Sequence, residues 1–555
     1  FFWCIIIINS NCFLKVAIIK TKKGEKVKME QSRFKNFLKN IKKGLIIGSS
    51  ITVVLSIIIT LLIIKKPWSK KGFNFDKNTV NIAVPADTKG FDVASESVTS
   101  SSYSHHVLSM IHDTLLHKNK DGNLESRLAW IPEKNGNELT FTLKDNIFFH
   151  NGKSLNTDDI IFTFKRAQNN KHKQFLEIQE IIKIDNKKFK VVLTDDNLWW
   201  DFKFCNFFRV LSEETIKNAG TNEADIQKAL QVGAGPYKLV NYEKDDKLQF
   251  ELFDSYYNKE RIQNSPKKIN FFVSKDDDTN LQKLETDEFD AINYPGMKIK
   301  DVRQKLGDKV KIVENDSVSC SYMYLNKKNT PLEIRKIISQ TIDTDKIKQE
   351  LDLQSQVLNS YLPSSLIGYN SNLKYNLDFE SAKNCVNKLE PKKKKLKIAA
   401  SKGPLTFQPK IIEQLKNVGF DVEFIQEDFN IVIPNMTKDN SDINILFLGE
   451  NHEMYYGHKA LVDYFFTNNN ENNFCHINQD DLEQIENKLI KAQKTSNKEE
   501  YTNLVKEVSK YIHDQVYVIP LYTAPSYFIT SKSIKQGFTT DAFSKLEFTD
   551  IRKEK

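Results

Sequence analysis

The chain has 555 residues, 40% of them hydrophobic and 11% aromatic, with a formal net charge of +9. That length exceeds a single compact core, so two or three lobes are expected. The charge does not indicate a nucleic-acid binder. Residues 1–75 hold 15 Lys+Arg against 2 Asp+Glu, a balance of +13, which leaves −4 on the other 480 residues; a nucleic-acid protein carries its positive charge on the folded domain.

The first methionine is Met29, and residues 1–28 are expected not to be translated. Residues 44–64, GLIIGSSITVVLSIIITLLII, are 21 positions without a charge, flanked by Lys42-Lys43 and Lys65-Lys66. About 20 apolar residues span a bilayer as a helix. No small-residue cleavage site and no nearby cysteine follows, so an uncleaved single-pass anchor is expected. Charge does not orient it: residues 30–43 and 65–77 each hold five basic residues and one acidic. A polar linker, 65–78, follows.

Residues 79–85 alternate like a strand. Residues 100–116 place Val107, Leu108, Ile111 and Leu115 at helical spacing. Residues 139–143 read as strand. The stretch 143–167, LKDNIFFHNGKSLNTDDIIFTFKRA, reads as strand, Asn-Gly hairpin turn, short strand and helix. Thr157 is the expected N-cap there, with Asp158 and Asp159 at the positive end of the helix dipole. A strand over 187–193 follows, then a hairpin, 237–242 and 248–253, about a Lys244-Asp245-Asp246 turn. Further strand is expected over 269–273 and 289–292, and helix over 280–284, 332–352 and 378–389. Residues 396–400, 409–418 and 421–425 form a βαβ pattern; 442–448 is strand and 479–513 mostly helix. Helices alternating with strands indicate α/β.

Catalytic signatures fail on spacing. Gly233-Ala234-Gly235 begins like a dinucleotide loop, but Lys238 stands at the third glycine position, and Pro236 offers no N–H. His452 and His458 are six apart, not the four a zinc-protease helix requires. The six cysteines, Cys4, Cys12, Cys205, Cys320, Cys385 and Cys475, form no CxxC pair. His105 and His112 share a helical face, yet no acid or cysteine joins them at ligand spacing. The Lys392–Lys395 run reads as a solvated loop. No metal, cofactor or enzymatic activity is expected.

The 143–167 stretch resembles the signature of the family 5 extracellular solute-binding proteins, the oligopeptide-, dipeptide- and nickel-binding receptors of bacterial ABC importers. Collinear blocks resemble the family in the same order: FDVASESVTSSSYSHHVLSMIHDTLLHKNKDGNLESRLA, VGAGPYKLVNYEKDDKLQFELFDSYY, LQKLETDEFDAI, IRKIISQTIDTDKI, YNLDFESAKNCVNKL and VIPLYTAPSYFITSKSIKQGF. They cover about residues 80–540.

The resemblance implies a type II periplasmic-binding-protein-like fold of two α/β lobes with an extra domain, preceded here by the transmembrane helix. By block order, lobe I takes 76–118, 232–315 and 526–555, the extra domain 119–231, and lobe II 316–525. It implies a monomer, held in the cell membrane with its large domain outside the cytoplasm, that captures a peptide between its lobes and passes it to an ABC permease and ATPase complex. In peptide-binding members an aspartate after a second-lobe strand holds the ligand's ammonium. Their D-Y-x-x-P pattern is absent here, and Glu450 or Glu453, with Asp463 as a third choice, takes that place. The first-lobe contacts map to the loop Ser97, Val98, Thr99 and Ser100. Alternatives are a nickel chelate or heme in the same fold, for which the 105–117 and 452–458 histidines are suited, and a surface adhesin or hydrolase.

Overall fold

The computed structural model describes residues 76–555 apart from 295–298, 316–318, 354, 453–454, 467–469, 544 and 555. The expected anchor at 44–64, the segments on either side of it up to residue 75, and Glu453 lie outside the described residues. Among the described residues, no helix is long and apolar enough to cross a membrane.

Two mixed sheets organise the rest. The first has seven strands, in the order Val310–Asn315, Ser526–Ser531, Ala291–Tyr294, Thr79–Val84, Lys268–Val273, Lys247–Leu252 and Tyr237–Glu243. Thr79–Val84 is central and runs parallel to both of its neighbours. Its inward residues Val80, Ile82 and Val84 are buried against Phe250, Phe271 and Leu108. The expected hairpin forms, with Asp245 supplying a positive φ of 58° in the turn.

The second sheet has six strands, Gln356–Val357, Val518–Thr523, Ser319–Leu325, Ile445–Asn451, Lys395–Ser401 and Asp421–Glu427. The βαβ pattern is realised as Lys395–Ser401, the helix Gln408–Asn417 and Asp421–Glu427, with the two strands parallel. Apolar faces of Leu332–Thr341, Phe379–Lys388 and Gln408–Asn417 cover this sheet. The chain leaves the first sheet after Asn315 and returns between Thr523 and Ser526. Two short segments therefore join the halves, the arrangement that permits hinge motion.

A four-stranded antiparallel sheet, Glu133–Asn135, Glu138–Thr142, Lys188–Leu193 and Ile178–Lys183, stands apart from both. Its core, with Phe141 stacked on Phe189, continues through Phe204 to Tyr324, Leu461 and Val505 of the 319–523 half.

Residues 143–167 differ from expectation in detail. Phe148 and Ser154 make only an isolated bridge, although Phe149 N–H donates to Lys153 O at 2.8 Å. The segment is too short to sustain strands. The N-cap of the helix Thr157–Asn169 is Asn156, not Thr157. Asn156 Oδ1 accepts from Asp158 N, and Asp159 Oδ2 accepts from Asn156 N at 3.0 Å, a capping box. Asp159 also accepts from Glu213 N at 2.9 Å, so the motif aspartate ties two helices together.

Gly233 and Gly235 serve close packing. A Cβ on Gly235 would sit 2.5 Å from Met110 O, and one on Gly233 would overlap Ile111 O. The lysine run is a solvated 3₁₀ turn, Pro391–Lys394, that leads into a strand.

Candidate functional site

Glu450 lies near the end of Ile445–Asn451, cross-strand from Cys320. It is 3% exposed. Tyr361 donates its hydroxyl to Glu450 Oε2 at 2.9 Å, and His452 Nε2 is 3.6 Å from the same oxygen. Glu450 Oε1 is buried and has no hydrogen-bond partner among the described residues. Burial, and then the charge of Asp463, hold this carboxyl well above the ordinary range. Burial pushes His452 down to about 4. Burial therefore disfavours the charged form of both groups.

Aromatic rings enclose the pair. Tyr322 stacks on Tyr361 with centroids 4.8 Å apart. Its hydroxyl donates to Tyr361 O at 2.6 Å and shares a 2.7 Å hydrogen bond with His452 Nε2. Among the described residues, no lysine or arginine is in ion-pair contact with Glu450.

Asp463 is exposed on the helix Gly457–Phe465, and its backbone carbonyl accepts from Asn472 at 3.1 Å. Its field acts on Glu450, and Lys173 acts on it. Lys173 in turn pairs with Glu96 at 3.2 Å.

The segment expected to be a loop at Ser97–Ser100 is instead largely helical, as Glu96–Thr99. Ser97 and Ser100 are exposed, while Val98 and Thr99 are buried. Thr99 Oγ1 bonds His172 Nε2 at 2.8 Å and donates to Ser95 O at 3.1 Å. Val98 packs beside Gly90. Lys173 thus joins Glu96, through an ion pair, to the charge at Asp463. Of the candidate residues, Glu450 has the enclosed oxygen that no described residue partners.

Sequence reasoning missed Tyr322, Tyr361 and His172, which hold these groups. Only their aromatic or polar character was visible, and their partners are distant in sequence. The histidines considered as ligands are packed in the core. His112 Nε2 bonds Leu230 O at 2.9 Å, and burial pushes its ring down to about 4. His458 Nδ1 bonds Tyr501 at 2.6 Å.

One acidic cluster was not foreseen. His117 Nδ1 is 3.6 Å from both Asp541 Oδ2 and Glu547 Oε1, a spacing compatible with a small cation. Arg127 at 3.2 Å and Arg261 already neutralise Glu547, and Lys545 lies close to Asp541. Counter-charge is supplied by the protein itself, so the donors do not suit a metal.

The sequence profile of the bacterial extracellular solute-binding proteins, family 5 middle region, matches residues 126–473. A dipeptide-binding protein of Escherichia coli is 26% identical over 288 residues, 46% of this chain and 52%, about half, of that relative's own length. The oligopeptide-binding protein OppA of Bacillus subtilis is 21% identical over 538 residues, covering 87% of this chain and 95% of the relative. Among solved structures, the ABC transporter substrate-binding protein CtaP of Listeria monocytogenes superimposes with a TM-score of 0.73 at 17% identity, over 87% of this chain and 100% of that one. With its profile matched over more than half its length, and with the two-lobed α/β fold of the periplasmic-binding-protein type, the chain belongs to family 5 of the bacterial extracellular solute-binding proteins.

Proposed function

We propose that this chain is the extracytoplasmic substrate-binding component of an ABC importer. Residues 44–64 hold it at the membrane, and it captures short peptides between its two halves for a permease and ATPase complex. The reading rests on one observation above all. Among the described residues, Glu450 offers a buried carboxyl oxygen with no partner, and no lysine or arginine contacts it. A desolvated ammonium needs a carboxylate partner in this setting. Arrival of the cation stabilises the ionised form of Glu450, which burial alone disfavours. The names of the similar relatives, dipeptide-binding and oligopeptide-binding, support the same ligand class.

The test is native mass spectrometry of the full chain, purified from a peptide-rich medium, beside Glu450→Gln. The wild type should carry a ladder of peptide masses, and the variant should lose it. Glutamine matches the protonated acid in shape, so the variant's unfolding free energy should stay within about 1 kcal/mol of wild type. A wild type without peptide masses, or a variant that keeps them, refutes the assignment.

A further inference from the structure

The two halves are joined covalently by two short segments, and they also meet along a wider contact, in which Leu198 N–H donates to Thr495 O at 2.9 Å, Trp199 Nε1–H donates to Gln493 O at 3.1 Å, and Tyr455 and Tyr456 insert. Tyr455 and Tyr456 belong to the 319–523 half and are anchored there. Ile367 N–H donates to Tyr455 O at 2.8 Å, and Gly457 N–H donates to Ile367 O at 3.1 Å. Tyr455 holds a φ of 78°, a left-handed conformation that a tyrosine rarely adopts. Strain of this kind persists where surrounding contacts impose it.

From that base both rings reach into the other half. Tyr456 donates its hydroxyl to Asp201 Oδ1 at 2.7 Å and accepts from Lys118 Nζ at 3.1 Å. Lys118 and Asp201 pair at 2.6 Å, and both are buried. Lys118 Nζ lies 4.3 Å from the Tyr455 ring centroid. Phe543 meets Tyr455 edge-on at 5.7 Å and Phe202 at 5.3 Å. Gly122 completes the seat, because a Cβ there would stand 2.6 Å from the Tyr455 hydroxyl. Lys118, Gly122, Asp201 and Phe202 precede the passage after Asn315, and Phe543 follows the return at Ser526. The contact therefore crosses the hinge.

A buried lysine–aspartate pair closed off from water needs its remaining hydrogen-bonding capacity filled. Tyr456 fills it only when the halves are together. We propose that Tyr455-Tyr456 is the closing latch of this molecule, a peg on one half that seats in the Lys118–Asp201 socket of the other and sets the balance between open and closed forms. The inference rests on the two-part fold and not on what the protein carries, since its test uses no ligand.

The test is a spin-label distance measurement on the full chain with Cys4→Ser and Cys12→Ser. One label sits on the native exposed Cys385 and the other on Lys244→Cys, in the exposed hairpin turn of the first sheet. Cys205, Cys320 and Cys475 are buried. Tyr456→Phe keeps the ring and removes a hydrogen bond to a charged group, so the open-to-closed ratio should rise roughly tenfold. Gly122→Ala, which crowds Tyr455 from the socket side without touching the ion pair, should shift the ratio in the same direction. Distance distributions identical to wild type in both variants overturn the proposal. If Tyr456→Phe fails to fold, Gly122→Ala decides alone, and an unchanged distribution there overturns it.

Discussion

Glu547→Gln is the substitution whose cost the structure defines most directly. Glu547 accepts from Arg261 and pairs with Arg127 Nη2 at 3.2 Å, while His117 Nδ1 stands 3.6 Å away. Arg261 is also bound to Asp113 at 3.2 Å and to Tyr256 at 2.5 Å. Around this point the carboxyls of Asp113, Asp541, Asp550 and Glu547 face the basic groups of Arg127, Arg209, Arg261 and Lys545. Glutamine keeps the shape and leaves Arg127 and Arg261 without the carboxylate they share. Breaking a buried pair by removing one partner costs about 3–5 kcal/mol. Glu547 is 20% exposed, which places the expected loss near the lower end, about 3 kcal/mol. The arginines depress the Glu547 carboxyl far below its ordinary value, so its contribution is complete above the unfolded-state value near 4.5 and is lost as pH falls toward the folded one. Urea unfolding of wild type and variant should therefore differ by about 3 kcal/mol at pH 7, the gap narrowing by about 1.4 kcal/mol per pH unit below 4.5. A difference under about 1 kcal/mol at pH 7 would refute the reasoning.

Acid should also destabilise the protein through its buried histidines. His112 is 1% exposed and titrates at about 4 when folded, against 6.5 when free. The unfolded chain binds that proton first, so stability falls from pH 6.5 downward, by about 2 kcal/mol at pH 5 for this residue. His112→Gln should flatten the measured slope between pH 6.5 and 5; an unchanged slope assigns the acid sensitivity elsewhere. Gly233→Ala should lower the yield of folded protein sharply, because the added methyl meets the Ile111 carbonyl, whereas Gly136→Ala, with nothing within 4 Å, should cost only about 1–2 kcal/mol for its left-handed φ of 57°. Equal thermal shifts for the two alanine variants would contradict the close-packing role.

Periodicity and turn chemistry revealed much of the fold. The Asp245 hairpin and the parallel unit at 395–427 follow from local pattern alone, because their partners are adjacent in sequence. Local competition was harder to read. Asn156 and Thr157 both suit an N-cap, and Asp159, three residues after Asn156, decides between them by closing the capping box. The Ser97–Ser100 segment looked like a polar loop, but its hydrogen bonds run back to Ser95 and Glu96 and wind it into a turn of helix. The site was partly legible: Glu450 was singled out, but its bare oxygen depends on Tyr361, 89 positions away. The Tyr456 contacts span 255 and 338 positions, distances over which one sequence carries no pairing signal.

The pairing of Asn315 with Ser526 has a consequence for synthesis. Ser526–Ser531 sits between Val310–Asn315 and Ala291–Tyr294 in the finished sheet, yet it leaves the ribosome some two hundred residues after them. Until then both earlier strands lack the neighbour that joins them, and Ala291–Tyr294 presents an open edge of a kind that invites aggregation. Of the two large sheets, the one whose strands come first in the chain is thus completed second. A ribosome stalled before residue 526 should expose a chain that chaperones bind, and release of the final strand should end that dependence.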